Sequence, residues 1–211
     1  ILSHVVWRSP FQMITEYHFP TIIYIKDVPN ADQLNQYLEP RIIQWSQSDK
    51  GEKRTNAGGW HSTTDMNKKE EYNPLTKELF VMQEEIYQKE NLSFKPVCGN
   101  MWANINYPGC FNRPHIHPNS LFSGVYYVTA PKNSGNLMVY DPRPGVQMAM
   151  PNRKEKKLPP ELWREVHYEP VAGRCIMFPA WLWHEVKPNV GDQTRISVSF
   201  NFLQRTGELI P

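Results

Sequence analysis

The chain has 211 residues, 40% of them hydrophobic and 21% charged, with a formal net charge of +2. That length and composition suit one globular domain and exclude a disordered chain, and the small net charge argues against a nucleic-acid footprint. Nineteen prolines and eleven glycines favour turns and short strands over a helical bundle.

The three cysteines, Cys98, Cys110 and Cys175, are odd in number and form no Cys-x-x-Cys, which points to free thiols in a reducing compartment. The stretch from Ile1 to Arg8 lacks the charged-then-apolar form of a signal peptide. No apolar run approaches the roughly 20 residues of a membrane helix. The basic run Arg153-Lys154-Glu155-Lys156-Lys157 reads as a solvated loop. The expectation is a cytoplasmic protein that engages neither membrane nor nucleic acid.

In chain order, residues 11–28 read as strand, with Thr21-Ile22-Ile23-Tyr24-Ile25 β-branched and aromatic. Asp32 opens a helical pattern through Leu34, Tyr37, Leu38, Ile42 and Trp45. Pro40 interrupts it, which predicts a kinked helix or two short ones. Periodicity is lost over 49–67, where Asn56-Ala57-Gly58-Gly59-Trp60-His61-Ser62 forms either a ligand-side loop or an ordinary turn. A second helix starts with Asn73 as N-cap and Pro74 as its first residue. Its stripe of Leu75, Leu79, Met82 and Ile86 is expected to pack on a sheet.

After Pro96 the pattern changes to strands, predicted at 97–107, 121–129, 135–140, 166–171, 174–178, 183–187 and 194–203. Short strands separated by Pro and Gly, with no helix between them, imply an antiparallel sandwich or barrel. The fold class expected is mainly β with helices (α+β), one domain over 1–211. Residues 1–96 form an α+β support and 97–211 the β-barrel core.

The chemistry-bearing stretch is Arg113-Pro114-His115-Ile116-His117-Pro118-Asn119-Ser120. Positions i and i+2 of a strand share a face, so His115 and His117 could offer imidazoles to one metal. His184 lies far downstream in Phe178-Pro179-Ala180-Trp181-Leu182-Trp183-His184, and a barrel can bring it to the same place. Imidazole suits Fe, Zn, Cu and Ni alike. Downstream, Arg195, Ser197, Ser199 and Asn201 alternate with Ile196, Val198, Phe200 and Phe202. The polar face is either a surface or the lining of a ligand-bearing barrel. Arg195 suits a carboxylate through its planar fork of donors, and Ser197 adds another donor on the same side.

His-x-His, a distant His, then Arg-x-Ser resembles the 2-oxoglutarate/Fe(II)-dependent oxygenases, whose motif is His-x-(Asp/Glu)…His…Arg-x-Ser. The similarity extends to Gly58-Gly59-Trp60-His61-Ser62, Trp102-Ala103-Asn104, His115-Ile116-His117-Pro118-Asn119-Ser120, Ser123-Gly124-Val125-Tyr126-Tyr127 and Arg195-Ile196-Ser197-Val198-Ser199-Phe200-Asn201. Together these resemble a small prolyl-hydroxylase-like group frequent in marine bacteriophages and bacteria. The resemblance implies a double-stranded β-helix, or jelly roll. It implies Fe(II) held by His115, His117 and His184, with 2-oxoglutarate and O2 as co-substrates. Arg195 and Ser197 would hold the distal carboxylate of 2-oxoglutarate, helped by Tyr127 and Tyr107, with Asn104 or Asn106 touching the co-substrate. The implied reaction hydroxylates a C–H bond of a small-molecule or peptidyl substrate, releasing succinate and CO2. For a phage-encoded chain the location would be the host cytoplasm, and a homodimer is permitted.

Trp60, His61 and Trp183 are the substrate-side candidates, from their places in the glycine-rich loop and beside His184. One departure stands out: His117 occupies a position that is acidic in the better-known enzymes, leaving the metal site one unit more positive. Two other readings stay open at this point. One is a cupin-like metalloenzyme that does not use 2-oxoglutarate, and the other a non-enzymatic jelly-roll protein. Whether Arg195 lines the barrel or faces solvent discriminates the first of them.

Overall fold

A computed structural model describes residues 13–93, 97–145 and 160–203, together with 148, 154 and 158. The stretch 1–8 and, save Lys154, the basic run 153–157 lie outside the described residues. The elements are β1 (Tyr24–Asp27), α1 (Ala31–Ser48), β2 (Asn56–Ala57), β3 (Trp60–His61), α2 (Asn73–Lys89), β4 (Val97–Asn106), β5 (Phe111–His115) and β6 (Phe122–Thr129). They continue with β7 (Leu137–Tyr140), β8 (Glu165–Tyr168), β9 (Arg174–Pro179), β10 (His184–Val186) and β11 (Arg195–Leu203).

The strands form two antiparallel sheets. The larger has the order β1-β9-β6-β11-β4-β3 and the smaller β2-β5-β10-β7-β8. Glycine makes the corner between them at β2 and β3. Gly59 has φ +71°, and a Cβ there would come within 2.4 Å of the Ile105 carbonyl oxygen, so only glycine lets the chain pass this close to β4. The double-stranded β-helix expected from the sequence is the architecture observed.

Both helices cover the outer face of the larger sheet. Leu38 and Ile42 of α1 and Leu75, Leu79, Met82 and Ile86 of α2 join Ala103, Ile105, Val198, Phe200 and Phe202 in one buried cluster. Burial of each such side chain contributes about 1.5–3 kcal/mol. The Tyr126 hydroxyl donates to Asn35 Oδ1 at 2.7 Å and ties α1 to β6. A second apolar cluster, with Tyr127, Leu137, Val139, Ile176, Phe178 and Leu182, lies on the opposite face, toward the smaller sheet.

Three local expectations change. Asn73 is the first residue of α2 rather than its N-cap; the N-cap is Tyr72, with no side-chain cap bond. The strand expected over 11–28 is confined to Tyr24–Asp27, and 13–23 holds no regular element. Only four residues of this edge find a partner, against Arg174–Met177 of β9, and Pro20 has no N–H to offer a ladder. The first helix runs unbroken through Pro40. Pro40 and Gln36 are both exposed, so the carbonyl freed at Gln36 meets water, while Leu38 and Ile42 hold the helix to the sheet.

Candidate metal and co-substrate site

Three histidines converge between the sheets. His184 opens β10 and stands directly opposite His115, the last residue of β5. Their ring centroids are 4.2 Å apart, and His117 lies 4.9 Å from His115 and 5.1 Å from His184. One ring nitrogen from each falls within 4.8 Å of the other two. The pairing of His115 with His117 does not arise from strand alternation, because β5 ends at His115. The chain turns at Pro118-Asn119, where Asn119 adopts φ 65°. His117 is instead placed by its backbone N–H, which donates to the Ala180 carbonyl at 3.0 Å.

The protonation pattern suits metal ligation. His115 Nδ1 meets the Arg113 carbonyl at 2.7 Å and His184 Nδ1 the Leu182 carbonyl at 2.9 Å. A carbonyl only accepts, so Nδ1 carries the proton and Nε2 keeps its lone pair. Burial holds all three imidazoles below the usual histidine range. His184 is pushed to about 3, by burial first and then by the nearby His115. His117 is pushed to about 4 by burial and then by His115, and His115 is lowered chiefly by burial. Three neutral imidazole donors around one point are a set that fits iron.

The histidines line a cavity of about 340 Å³ whose floor is the polar face of β11: Arg195, Ser197, Ser199 and Asn201. The strand is not a surface strand. It pairs with β4 on one side and β6 on the other, so its polar face points into the barrel. Arg195 is 1% exposed. Its Nη1 donates to the Ser134 carbonyl at 2.8 Å and the Gly135 carbonyl at 2.7 Å, while Nε is buried without a partner. Burial lowers its affinity for the proton, opposed by Tyr127 and Cys110 nearby. No Asp or Glu lines the cavity among the described residues. A buried guanidinium without a counter-charge is costly, so this cavity calls for an anion. Tyr127 faces the same space, its phenol pushed up to about 12 by burial, and it remains a hydrogen-bond donor at neutral pH.

The other sequence candidates divide. Asn104 lines the cavity and donates to Ser199 Oγ at 3.1 Å. His61 is buried there, stacked on Trp102 with ring centroids 5.5 Å apart, and its Nδ1 meets the Ser62 carbonyl at 2.6 Å. Burial lowers its pKa, so it too is neutral. Tyr107 does not reach the site: it lies one residue past the end of β4 and is 48% exposed. Asn106 is buried opposite Arg195 in the ladder but does not line the cavity. Trp60 turns the other way, edge-on to Trp45 at 5.5 Å, and donates Nε1 to the Asp49 carbonyl. Trp183 is 51% exposed, because β10 turns His184 inward and the residue before it outward.

The sequence reading missed several lining residues, among them Asn100, Asn112, Arg54 and Thr55. Asn100 shares the inward parity of Trp102 and Asn104 on β4, a signal that was available. Arg54 and Thr55 come from the aperiodic loop before β2, which carries no such signal.

Residues 100–201 match the model of a family described as "Putative 2OG-Fe(II) oxygenase". That segment runs through β4 to β11 and holds all three histidines and Arg195. A search of curated proteins finds no match. Among solved structures, a Pseudomonas putida prolyl-4-hydroxylase aligns with TM-score 0.63 at 18% identity, over 88% of this chain and 94% of its own. The epimerase SnoN from nogalamycin biosynthesis, in complex with Fe3+, alpha ketoglutarate and nogalamycin RO, aligns with TM-score 0.64 at 13% identity, over 88% and 80%. A Trichoplax adhaerens prolyl hydroxylase in complex with a hypoxia inducible factor peptide fragment aligns with TM-score 0.58 at 14% identity, over 86% and 83%. At these identities the likeness is one of fold. Fold and matched segment together define the class the chain resembles: residues 100–201, a little under half of it, match a 2OG-Fe(II) oxygenase model on the fold these neighbours share. The activity this indicates is that of an oxygenase using Fe(II), 2-oxoglutarate and O2.

Proposed function

We propose that His115, His117 and His184 hold the Fe(II) and that Arg195, with Ser197 and Tyr127, holds the distal carboxylate of 2-oxoglutarate. The enzyme then hydroxylates a C–H bond of a small-molecule or peptidyl substrate. The observation that carries this reading is Arg195, a buried guanidinium with an unpartnered Nε in the same cavity as three neutral imidazoles. A cupin-like site acting without a dicarboxylate would leave that charge uncompensated. Bound Fe(II) and 2-oxoglutarate supply the oxidising chemistry, with succinate and CO2 as products.

The chain's own residues divide the remaining work. Arg195 orients the co-substrate by charge-assisted hydrogen bonding, fixed in place because Nη1 is already committed to two carbonyls. Phe178 packs 4.7 Å from the His184 ring and, with Val125 and Leu137, makes that wall of the cavity apolar and excludes water beside the histidine. His61 serves the substrate side. Its Nδ1–H is engaged by Ser62, so Nε2 is an acceptor for a donor group on the substrate. Trp102 separates His61 from His117 and keeps the two imidazoles in distinct roles.

The test is succinate release from 2-oxoglutarate with Fe(II) and ascorbate, which uncoupled turnover allows without the true substrate. His184→Ala is expected to abolish it and Arg195→Ala to raise the KM for 2-oxoglutarate. Equal activity in the three proteins would refute the assignment, and absence of transition-metal binding at the histidines would remove it altogether.

A further inference from the structure

Asn189 lies in the loop between β10 and β11, outside the cavity, yet it is 1% exposed and every polar group it carries is engaged. Its side-chain Nδ2 donates to the Asn106 carbonyl at 3.0 Å and the Gln193 carbonyl at 2.8 Å. Its Oδ1 accepts from the Gly191 N–H at 3.1 Å. Its backbone pairs twice with the turn before β5: the Gly109 N–H donates to the Asn189 carbonyl at 2.7 Å, and the Asn189 N–H donates to the Cys110 carbonyl at 3.0 Å. An asparagine with all its bonds made in the interior is held in one orientation and holds its neighbours in theirs.

Those neighbours are the ones that grip Arg195. The Val190 and Gly191 N–H groups both donate to the Asn133 carbonyl at 3.0 Å, and the Lys187 N–H donates to the Asn136 carbonyl at 2.9 Å. The 131–136 turn is thereby fixed from both sides, and its Ser134 and Gly135 carbonyls accept from Arg195 Nη1. Gly135, at φ +95°, lies so close to Lys187 that a Cβ would come within 2.2 Å of the Lys187 carbonyl oxygen. On the other flank Asn106, whose carbonyl Asn189 holds, is the cross-strand partner of Arg195.

We propose that Asn189 is a positioning residue for the co-substrate: it ties three loops together around Arg195 and thereby aims the guanidinium at a distal carboxylate. This rests on the assignment of Arg195 to 2-oxoglutarate. A residue that acts only through Arg195 affects a dicarboxylate and spares a ligand without the second carboxylate. The probes are therefore 2-oxoglutarate and 2-oxobutanoate, titrated calorimetrically into Mn(II)-loaded protein.

Wild type is expected to prefer 2-oxoglutarate. Asn189→Ala should weaken 2-oxoglutarate about tenfold, the scale of a lost buried hydrogen-bond network, with 2-oxobutanoate and Mn(II) affinities unchanged. In uncoupled turnover its KM for 2-oxoglutarate should rise while kcat holds. Asn189→Asp keeps the acceptor for Gly191 and loses both donated bonds, so it should show the same pattern at least as strongly. If wild type shows no preference between the two acids, the Arg195 assignment fails. If wild type prefers 2-oxoglutarate and both variants keep that preference, or lose both acids equally, the Asn189 proposal is overturned. Failure of both variants to fold makes Asn189 a structural residue and overturns it as well.

Discussion

β11 carries two chemistries on one backbone. Toward α1 and α2 it turns Ile196, Val198, Phe200 and Phe202, all buried in the apolar cluster. Toward the cavity it turns Arg195, Ser197, Ser199 and Asn201. Both faces are buried, so burial does not distinguish them. What distinguishes them is whether the opposing layer is complete. The helices meet the apolar face with apolar side chains, whereas the polar face carries a buried cation, Arg195, with no Asp or Glu lining the cavity among the described residues. An apolar side chain packed on all sides supports the fold, whereas a buried cation lining a cavity with no counter-charge calls for an anion.

This contrast predicts effects that differ in kind as well as in size. The largest is on the apolar face. Phe200→Ala removes a side chain with no exposure and should cost about 3–5 kcal/mol of unfolding free energy by urea titration, with metal affinity per folded molecule retained. Next comes the cavity. His184→Ala should weaken Fe(II) or Mn(II) binding by about a hundredfold, or ~2.7 kcal/mol, with a smaller change in stability. If instead it unfolds the protein and Phe200→Ala does not, the division of labour between the faces is wrong. Arg195→Ala should raise the KM for 2-oxoglutarate by about ten- to a hundredfold, in line with ~1.5–3 kcal/mol for hydrogen bonds to a charged group.

A subtler test uses pH. The folded-state pKa values of His184 and His117 are depressed to about 3 and about 4, below the ordinary 6.5. Between those limits the unfolded chain binds more protons than the folded one, so stability is present above about pH 6.5 and falls as the pH is lowered toward 4. The melting temperature of metal-free protein should decline over that range, and His184→Gln should flatten the decline. The smallest effects belong to the outer surface. Tyr107→Phe and Trp183→Ala should leave turnover within about twofold, because neither side chain lines the cavity.

Alternation in 194–203 announced β11 and the two faces it would present, and the helical stripe of Leu75, Leu79, Met82 and Ile86 buries as its spacing implied. The histidine triad was legible as residue types and as two segments. What failed were inferences from adjacency. Tyr107 follows an inward-facing strand but lies just past its end, and Trp183 precedes an inward histidine and therefore faces out. Trp60 and His61 are neighbours in one loop, yet only His61 enters the cavity, since successive residues of a strand point to opposite faces. The sequence reading passed over Asn189, because an asparagine in a loop looks the same whether it meets water or five partners.

Periodicity and motif spacing determined the elements, their faces and the kinds of side chain available for chemistry, since these depend on residues close along the chain. Tertiary structure decided which of them meet. His115 faces His184 because β5 and β10 pair in one register, and His117 joins them through a hydrogen bond to Ala180 rather than through its own strand. Arg195 became a ligand-seeking cation only when β4, β6 and the 131–136 turn closed around it. The physical reason is that local patterns set the direction of a side chain, while solvation and partners are set by what the rest of the chain packs against it.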